Sequence, residues 1–212
     1  MGMFNMYCLL YIKSNKYTFL FKMVRTTNKK ENYLPVNKKN ENLYVISWDF
    51  QDVVEHVFEE DPETGRPRPT GETRETNLGN WMIEMFHYRP TFNYVQNMIL
   101  KWYNEQVDRK ILNGFKWTDA EGNEFPVWLS TENQFNYKAA YDLAVQTQGA
   151  SLPVQFKFGT THAPVYHTFE TLEDLSNFYI SAMTYINNTL AEGWQKKDNI
   201  DWSVYESLKS HV

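Results

Sequence analysis

Histidines are the first candidates for chemistry, because imidazole binds metal ions and exchanges protons near neutral pH. The chain has five of them: His56, His87, His162, His167 and His211. It has no H-E-x-x-H motif and no pair of cysteines, so the common zinc spacings are missing. His162 and His167 flank the turn of a predicted hairpin and could approach each other, but His167 alternates with Val165 and Phe169, which favours a core position. The sequence therefore predicts no metal site and no cofactor.

Carboxylates are the second candidates, since paired carboxylates perform acid–base chemistry when a cleft separates their pKa values. Five of them cluster in the sequence: Glu55, Glu59, Glu60, Asp61 and Glu63. They adjoin a segment rich in proline and glycine, which is typical of a solvated loop. The only cysteine is Cys8, and the sequence contains neither G-x-S-x-G nor a phosphate-binding glycine motif. We therefore predict that the chain is not an enzyme, and we assign it no catalytic residue.

Composition limits the class of partner. The 212 residues carry a net charge of −5, which disfavours sequence-independent binding to nucleic-acid phosphates. Aromatic residues make up 17 % of the chain, which predicts a thick aromatic core or a surface that binds another protein. A single cysteine excludes an intramolecular disulfide and fits a cytosolic or virion context. No apolar run approaches the roughly 20 residues of a membrane helix, so we predict no membrane contact.

The N-terminal part is predicted to be an arm over residues 1–42. Its first 22 residues have two interpretations: a natural start at Met23 that excludes them, or a hairpin of Tyr7–Ile12 with Tyr17–Phe21. Thr26–Asn42 is polar and is predicted to be a linker. The arm has no periodic apolar face, which indicates a solvated, flexible segment. Its basic residues are Lys13, Lys16, Lys22, Arg25, Lys29, Lys30, Lys38 and Lys39.

Residues 43–112 are predicted to form a strand, a loop, a second strand and a helix. The strands are Leu43–Phe50 and Trp81–Tyr88, which could pair as a hairpin, and prolines and glycines indicate an exposed loop at Glu59–Thr76. The helix is predicted over Phe92–Leu112. Thr91 provides its N-cap and Asn113-Gly114 its stop.

Residues 113–206 are predicted to form a ββα-ββα domain, and 207–212 a tail. The first hairpin pairs Phe115–Trp117 with Phe125–Leu129 and leads to a helix that begins at a capping box on Thr131 and ends near Gln148. The predicted core face of that helix is Phe135, Ala139, Ala140, Leu143 and Ala144. The second hairpin pairs Val154–Phe158 with Val165–Phe169, and Thr171 caps the last helix. The whole order predicts an α+β fold, antiparallel hairpins with three amphipathic helices packed on one side.

Aromatic residues near the middle hairpin form a candidate interaction surface. They are Trp117, Trp128, Tyr137 and Tyr141. Such side chains stack on sugars or bases. The acidic balance argues against bases, so core packing or a protein contact is the favoured role.

Three stretches, Asn113–Trp117, Val127–Tyr137 and Phe169–Leu175, resemble a small uncharacterised domain found in bacterial prophage and phage tail-region proteins. The resemblance covers about residues 112–206. It implies a non-enzymatic structural, tail-associated or assembly role in a virion or the host cytoplasm, through contacts with other virion or assembly proteins or with further copies of the chain. Two alternatives stay open: a small adaptor or regulator that binds nucleic acid, and a hydrolase with an unfamiliar site.

Overall fold

The computed structural model describes residues 23–160 and 162–209, and the fold is α+β with antiparallel strands, as predicted. The described residues form eight strands, three α-helices and 3₁₀ helices at Lys30–Asn32 and Trp202–Leu208. In chain order the strands and α-helices are β1 (Val24–Lys29), β2 (Val36–Asn40), β3 (Leu43–Glu60), β4 (Pro67–Phe86), α1 (Phe92–Asn113), β5 (Phe115–Thr118), β6 (Glu124–Val127), α2 (Thr131–Gln146), β7 (Val154–Gly159), β8 (Pro164–Phe169) and α3 (Leu172–Asp198).

The chain divides into two compact units, and the division falls within α1. Of the described residues, the first unit contains 23–99 and 201–209, and the second contains those from Leu100 to Ile200. The boundary predicted at residue 112 lies at the other end of the same helix. Residues 1–22, for which the sequence allows two interpretations, lie outside the described residues, and so Cys8 does too. His211 also lies outside them.

The first unit is built on a four-stranded antiparallel sheet in the order β1-β4-β3-β2. The linker predicted over Thr26–Asn42 is wrong, because β1 pairs Val24 with Ile83 and β2 pairs Val36 with Ile46. Both strands lie at sheet edges, where one side of the strand meets water. Because most of their residues are polar, hydrophobic alternation in the sequence did not predict these two strands.

The core of the first unit lies on the sheet face that carries alternate residues of β3 and β4. Ile46 and Trp48 in β3 and Phe86 in β4 are buried there. Val95 and Ile99 of α1 are buried as well, since the helix turns an apolar stripe inward. The C-terminal 3₁₀ helix is held to this sheet by Tyr205, whose hydroxyl donates to the backbone carbonyl of Ser47 at 2.7 Å.

The exposed loop predicted at Glu59–Thr76 is also wrong. β3 continues to Glu60 and β4 begins at Pro67, so only residues 61–66 form the connection. The two prolines of β4, Pro67 and Pro69, lie in its first part, which pairs with β3 and with no other described strand. A missing N–H donor is tolerated on such an edge, which is why these prolines do not prevent pairing.

The second unit contains two small hairpins, β5–β6 and β7–β8, together with α2 and α3. Both predicted hairpins are confirmed, with Trp117 opposite Phe125 and Phe156 opposite His167. Their inward side chains meet α3 in an aromatic core. Its large buried members are Trp117, Phe125, Tyr137, Phe158, Phe169 and Phe178.

Caps begin both helices of the second unit. Thr171 accepts a hydrogen bond from the backbone N–H of Asp174 at 3.2 Å, as predicted. The cap of α2 is Ser130 rather than Thr131, since the Ser130 hydroxyl accepts from the N–H of Asn133. The predicted core face of α2 is wrong for Phe135, Ala139 and Leu143, which are exposed, whereas Tyr137 and Ala144 are buried.

Candidate functional site

The outer part of the β3–β4 hairpin extends beyond the strands that flank it. We call residues 53–60 and 67–76 the ribbon. Pairing with β1 covers β4 only over Leu78–Ile83, and pairing with β2 covers β3 only over Leu43–Ile46. Among the described residues, no third strand pairs with the ribbon. Apart from the Val53 and Val57 carbonyls, which accept from the Thr76 and Thr70 hydroxyls, both edges present backbone groups that no described strand pairs with.

The tip of the ribbon is ordered by its own hydrogen bonds. The Asp61 carboxylate accepts from the N–H groups of Glu63 and Thr64, both at 2.9 Å. These two bonds hold the pKa of Asp61 below its ordinary value, and the bond from Thr64 has the larger effect. The Asp61 N–H donates to the Arg66 carbonyl, and Gly65 has the positive φ that the turn needs. The tip is thus a defined turn.

Charged pairs cross the ribbon. Arg68 contacts Glu59 at 2.5 Å, and Arg74 contacts Glu55 at 3.4 Å. Both pairs are exposed, so each contributes little to stability. The predicted acidic cluster therefore lies along the solvated ribbon and its tip, with Glu55 and Glu59 paired to arginines.

The segment made of the ribbon, its tip and the adjacent Asp52 carries an acidic excess. Between residues 52 and 75 the sequence has eight carboxylates and three arginines, an excess that equals the net charge of the whole chain. Among these negative charges, Phe58 is 59 % exposed, and Val54 is exposed too. An exposed aromatic ring beside unpaired carboxylates is a surface suited to a partner with an apolar pocket and a basic rim.

The four histidines within the described residues do not come together at a metal site. His167 is half-buried, with its ring centroid 5.0 Å from that of Trp117 and 4.5 Å from that of Phe169, and its Nε2 lies 3.4 Å from Asp174 Oδ2. His162 is exposed at the hairpin turn. The described residues contain no group of three or more His, Cys, Asp or Glu side chains able to hold a metal ion.

One carboxyl group is buried in the first unit. Glu84 is only 2 % exposed, and its Oε2 has no hydrogen-bond partner in the described part of the chain. Burial raises its pKa from 4.5 to about 7. Tyr94 is close enough for the Glu84 charge to raise the tyrosine's pKa in addition to the effect of burial.

The predicted aromatic interaction surface divides into buried and exposed members. Trp117 and Tyr137 are buried in the core of the second unit and cannot meet a partner. Tyr141 is half-buried and stacks on Tyr179, with ring centroids 4.4 Å apart. Only Trp128 is exposed, at 51 %. It borders a shallow groove of about 240 Å³ with Asn133, Lys157 and Thr160.

A second exposed apolar feature lies on α2, and sequence reasoning assigned it to the core. Phe135, Ala139 and Leu143 are exposed on one face of the helix. Their spacing of four residues was the correct signal for an apolar stripe. It could not show which of the helix's two apolar faces the fold would cover.

Comparison of the chain with protein-family models, with curated proteins and with solved structures gave no match. The resemblance to a phage tail-region domain therefore stays a prediction. No described helix is both long and apolar enough to cross a membrane.

Proposed function

We propose that this chain is a non-enzymatic assembly protein that binds another protein through the ribbon. The resemblance of residues 112–206 to a phage or prophage tail-region domain supports placing that assembly in a phage-type particle. The single observation that carries the proposal is the extension of β3 and β4 past their neighbours, with no described strand paired to either outer edge of the ribbon.

The ribbon's exposure supports a contact role. A two-stranded hairpin is at best marginally stable in water by itself, and long unpaired edges promote aggregation. The ribbon nevertheless keeps exposed Val54 and Phe58 and few buried contacts of its own. Such an element is expected where a partner covers it in the working assembly.

The charge of the ribbon limits the partner's chemistry. Glu59 and Glu55 are paired with arginines, and Asp52 lies 2.6 Å from Lys30. Glu60, Glu63 and Glu72 have no ion-pair partner within the described residues. We therefore expect a protein partner whose surface is basic around an apolar pocket, and a complex that weakens as salt concentration rises.

A shortened ribbon tests the proposal. Val54 lies directly opposite Glu75, so replacing residues 55–74 with Asn-Gly closes the same register with a two-residue turn. The wild-type protein and the variant are each co-expressed with the products of the genes that flank the native gene, and complexes are measured by native mass spectrometry. A stoichiometric complex that the short variant loses supports the proposal.

Two controls make the result decisive. Phe58→Ser keeps the ribbon but removes its exposed ring, and it should weaken the complex. Leu112→Ser removes an equally typical exposed apolar residue from the second unit and should leave the complex intact. A complex retained by the short variant, or a wild-type protein that binds none of the co-expressed products, contradicts a binding role for the ribbon.

A further inference from the structure

Hydrogen bonds within the ribbon show which backbone groups of β3 face β4. The Val53 carbonyl accepts from the Thr76 hydroxyl of β4 at 2.6 Å. The Val57 carbonyl likewise accepts from the Thr70 hydroxyl of β4 at 3.0 Å. Both carbonyls are therefore directed toward β4 and away from the outer edge of β3.

The tip of the ribbon follows the same alternation. The Asp61 N–H donates to the Arg66 carbonyl at 2.9 Å, so Asp61 also faces the opposite arm of the hairpin. Backbone groups of successive residues in an antiparallel strand point alternately toward and away from the neighbouring strand. The N–H and C=O groups that β3 directs to its outer edge therefore belong to the residues between these inward ones. We call them the outward residues of β3: Val54, His56, Phe58 and Glu60.

The outer edge of β4 is poorly suited to pairing with another strand. Two outward residues of β3, Phe58 and Glu60, lie opposite prolines, Pro69 and Pro67. Residues opposite an outward residue in an antiparallel pair face outward themselves, so two outward positions of β4 have no N–H to donate. β4 also bulges twice against β3 along the ribbon. Prolines and bulges are features that prevent edge strands from pairing with other chains.

The outer edge of β3 has neither of these protections. Residues 53–60 contain no proline or glycine, so every outward residue of β3 has an N–H. The stretch Val54–Glu60 is about 20 Å long, the length of an ordinary strand. We infer that the partner contributes a β-strand that pairs with the outer edge of β3 along Val54–Glu60. The inference rests on the proposed function and specifies the contact as strand addition, in which main-chain hydrogen bonds provide the affinity.

The side chains of β3 determine the chemistry of the added strand. Val54 and Phe58 are exposed on one face of the ribbon, and Glu55 and Glu59 lie on the other. From Asp52 to Glu60, β3 has four carboxylates and no lysine or arginine. A strand that alternates apolar and basic residues therefore matches both faces. A second copy of β3 does not, because it would bring carboxylates beside carboxylates.

Proline substitution on each edge tests the inference, because it removes one outward N–H. His56 and Thr73 lie directly opposite each other, and both are exposed. His56→Pro should weaken the complex recovered by co-expression at least about tenfold, since the added strand loses a hydrogen bond and meets the proline ring. Thr73→Pro is the matched control on β4, and His56→Ala removes the imidazole but keeps the N–H. Both should bind like the wild type in calorimetric titrations of the purified components.

A peptide probe tests the same edge without the native partner. A capped peptide of alternating lysine and valine, long enough to span Val54–Glu60, is titrated into the isotope-labelled full-length protein. The amide resonances of the outward residues of β3 should shift, whereas those of Thr73 and Glu75 should not. The same peptide with proline at its centre should cause smaller shifts. Circular dichroism of each protein variant checks that it is folded.

The outcomes separate this inference from the proposed function. A complex that the shortened ribbon loses but His56→Pro retains overturns strand addition to β3 and leaves the ribbon as a binding element. A complex that Thr73→Pro weakens as much as His56→Pro overturns it too, and so does a peptide that shifts no resonance of the outward residues. Peptide shifts at those residues, with no co-expressed product bound, support the β3 edge and contradict the proposed function alone.

Discussion

Ile46 of β3 and Glu84 of β4 lie directly opposite each other in the four-stranded sheet. The pair places a carboxyl group next to an aliphatic side chain on the buried face of that sheet, where Phe86 is also enclosed. Burial of an ionised carboxylate without a partner is costly, so the folded protein favours the protonated form. This juxtaposition makes the stability of the first unit depend on pH.

We predict that the first unit becomes less stable as pH rises. The pKa of Glu84 is raised from 4.5 to about 7, so between these values the folded state holds a proton that the unfolded chain has released. The stabilisation that comes from the protonated Glu84 is fully present below about pH 4.5. About 3 kcal/mol of unfolding free energy is lost as pH rises from 4.5 through the folded pKa near 7. Hydrogen–deuterium exchange of peptides from β3 and β4, measured from pH 5 to pH 8 and corrected for the intrinsic rate, reports this change.

Glu84→Gln identifies the responsible group. The amide has nearly the same shape and carries no charge, so the variant should lose the pH dependence and exceed the wild type in stability at pH 8. Glu72→Gln, on the exposed ribbon, is the matched control and should follow the wild type. A wild-type unit whose protection is flat across this range, or a Glu84→Gln variant that declines in parallel, would show that the buried carboxyl is not the cause.

Gly114 is predicted to be essential to the junction between α1 and β5. It has a φ of +70°, and a Cβ there would lie 1.7 Å from the Val127 carbonyl oxygen. Gly114→Ala therefore costs the left-handed conformation, about 1–2 kcal/mol, and in addition displaces the backbone of β6. Chemical denaturation of the second unit, followed by its tryptophan fluorescence, should show a loss of more than about 2 kcal/mol.

Gly122 provides the control for that experiment. Its φ is +87°, but nothing lies within 4 Å of the position that a Cβ would take. Gly122→Ala should therefore cost only the conformational part. Equal losses in the two variants would mean that the Val127 contact contributes nothing.

The sequence predicted caps and hairpins correctly, but it did not predict the strands that lie at sheet edges. Thr171 as a cap and the hairpin of Phe115–Trp117 with Phe125–Leu129 follow from turn and capping chemistry within a few residues, and both are confirmed. The sequence did not predict β1, β2 or the ribbon. Edge strands and two-stranded ribbons face water, so polar residues and Pro67 are tolerated in them.

The candidate site could be predicted only in part for a related reason. The aromatic cluster around Trp117 and Trp128 was visible in the sequence, but only Trp117 is buried. Trp117 points inward on β5, whereas Trp128 follows the end of β6. The apolar residues of α2 were likewise visible. Whether Phe135 or Tyr137 faces the core depends on tertiary packing, which the helical period alone does not determine.

The last prediction separates those two tryptophans. The Trp117 ring lies 5.2 Å from that of Phe178 and 5.5 Å from that of Phe125, so Trp117→Ala opens a cavity in the aromatic core and should destabilise the second unit by about 3–5 kcal/mol. Trp128→Ala removes a side chain that is half in solvent and should change stability by less than about 1 kcal/mol. Urea denaturation followed by far-ultraviolet circular dichroism gives both values, since this signal does not depend on the tryptophan removed. A large loss in Trp128→Ala would assign that side chain a packing role, whereas a small loss leaves it available at the groove with Asn133 and Lys157.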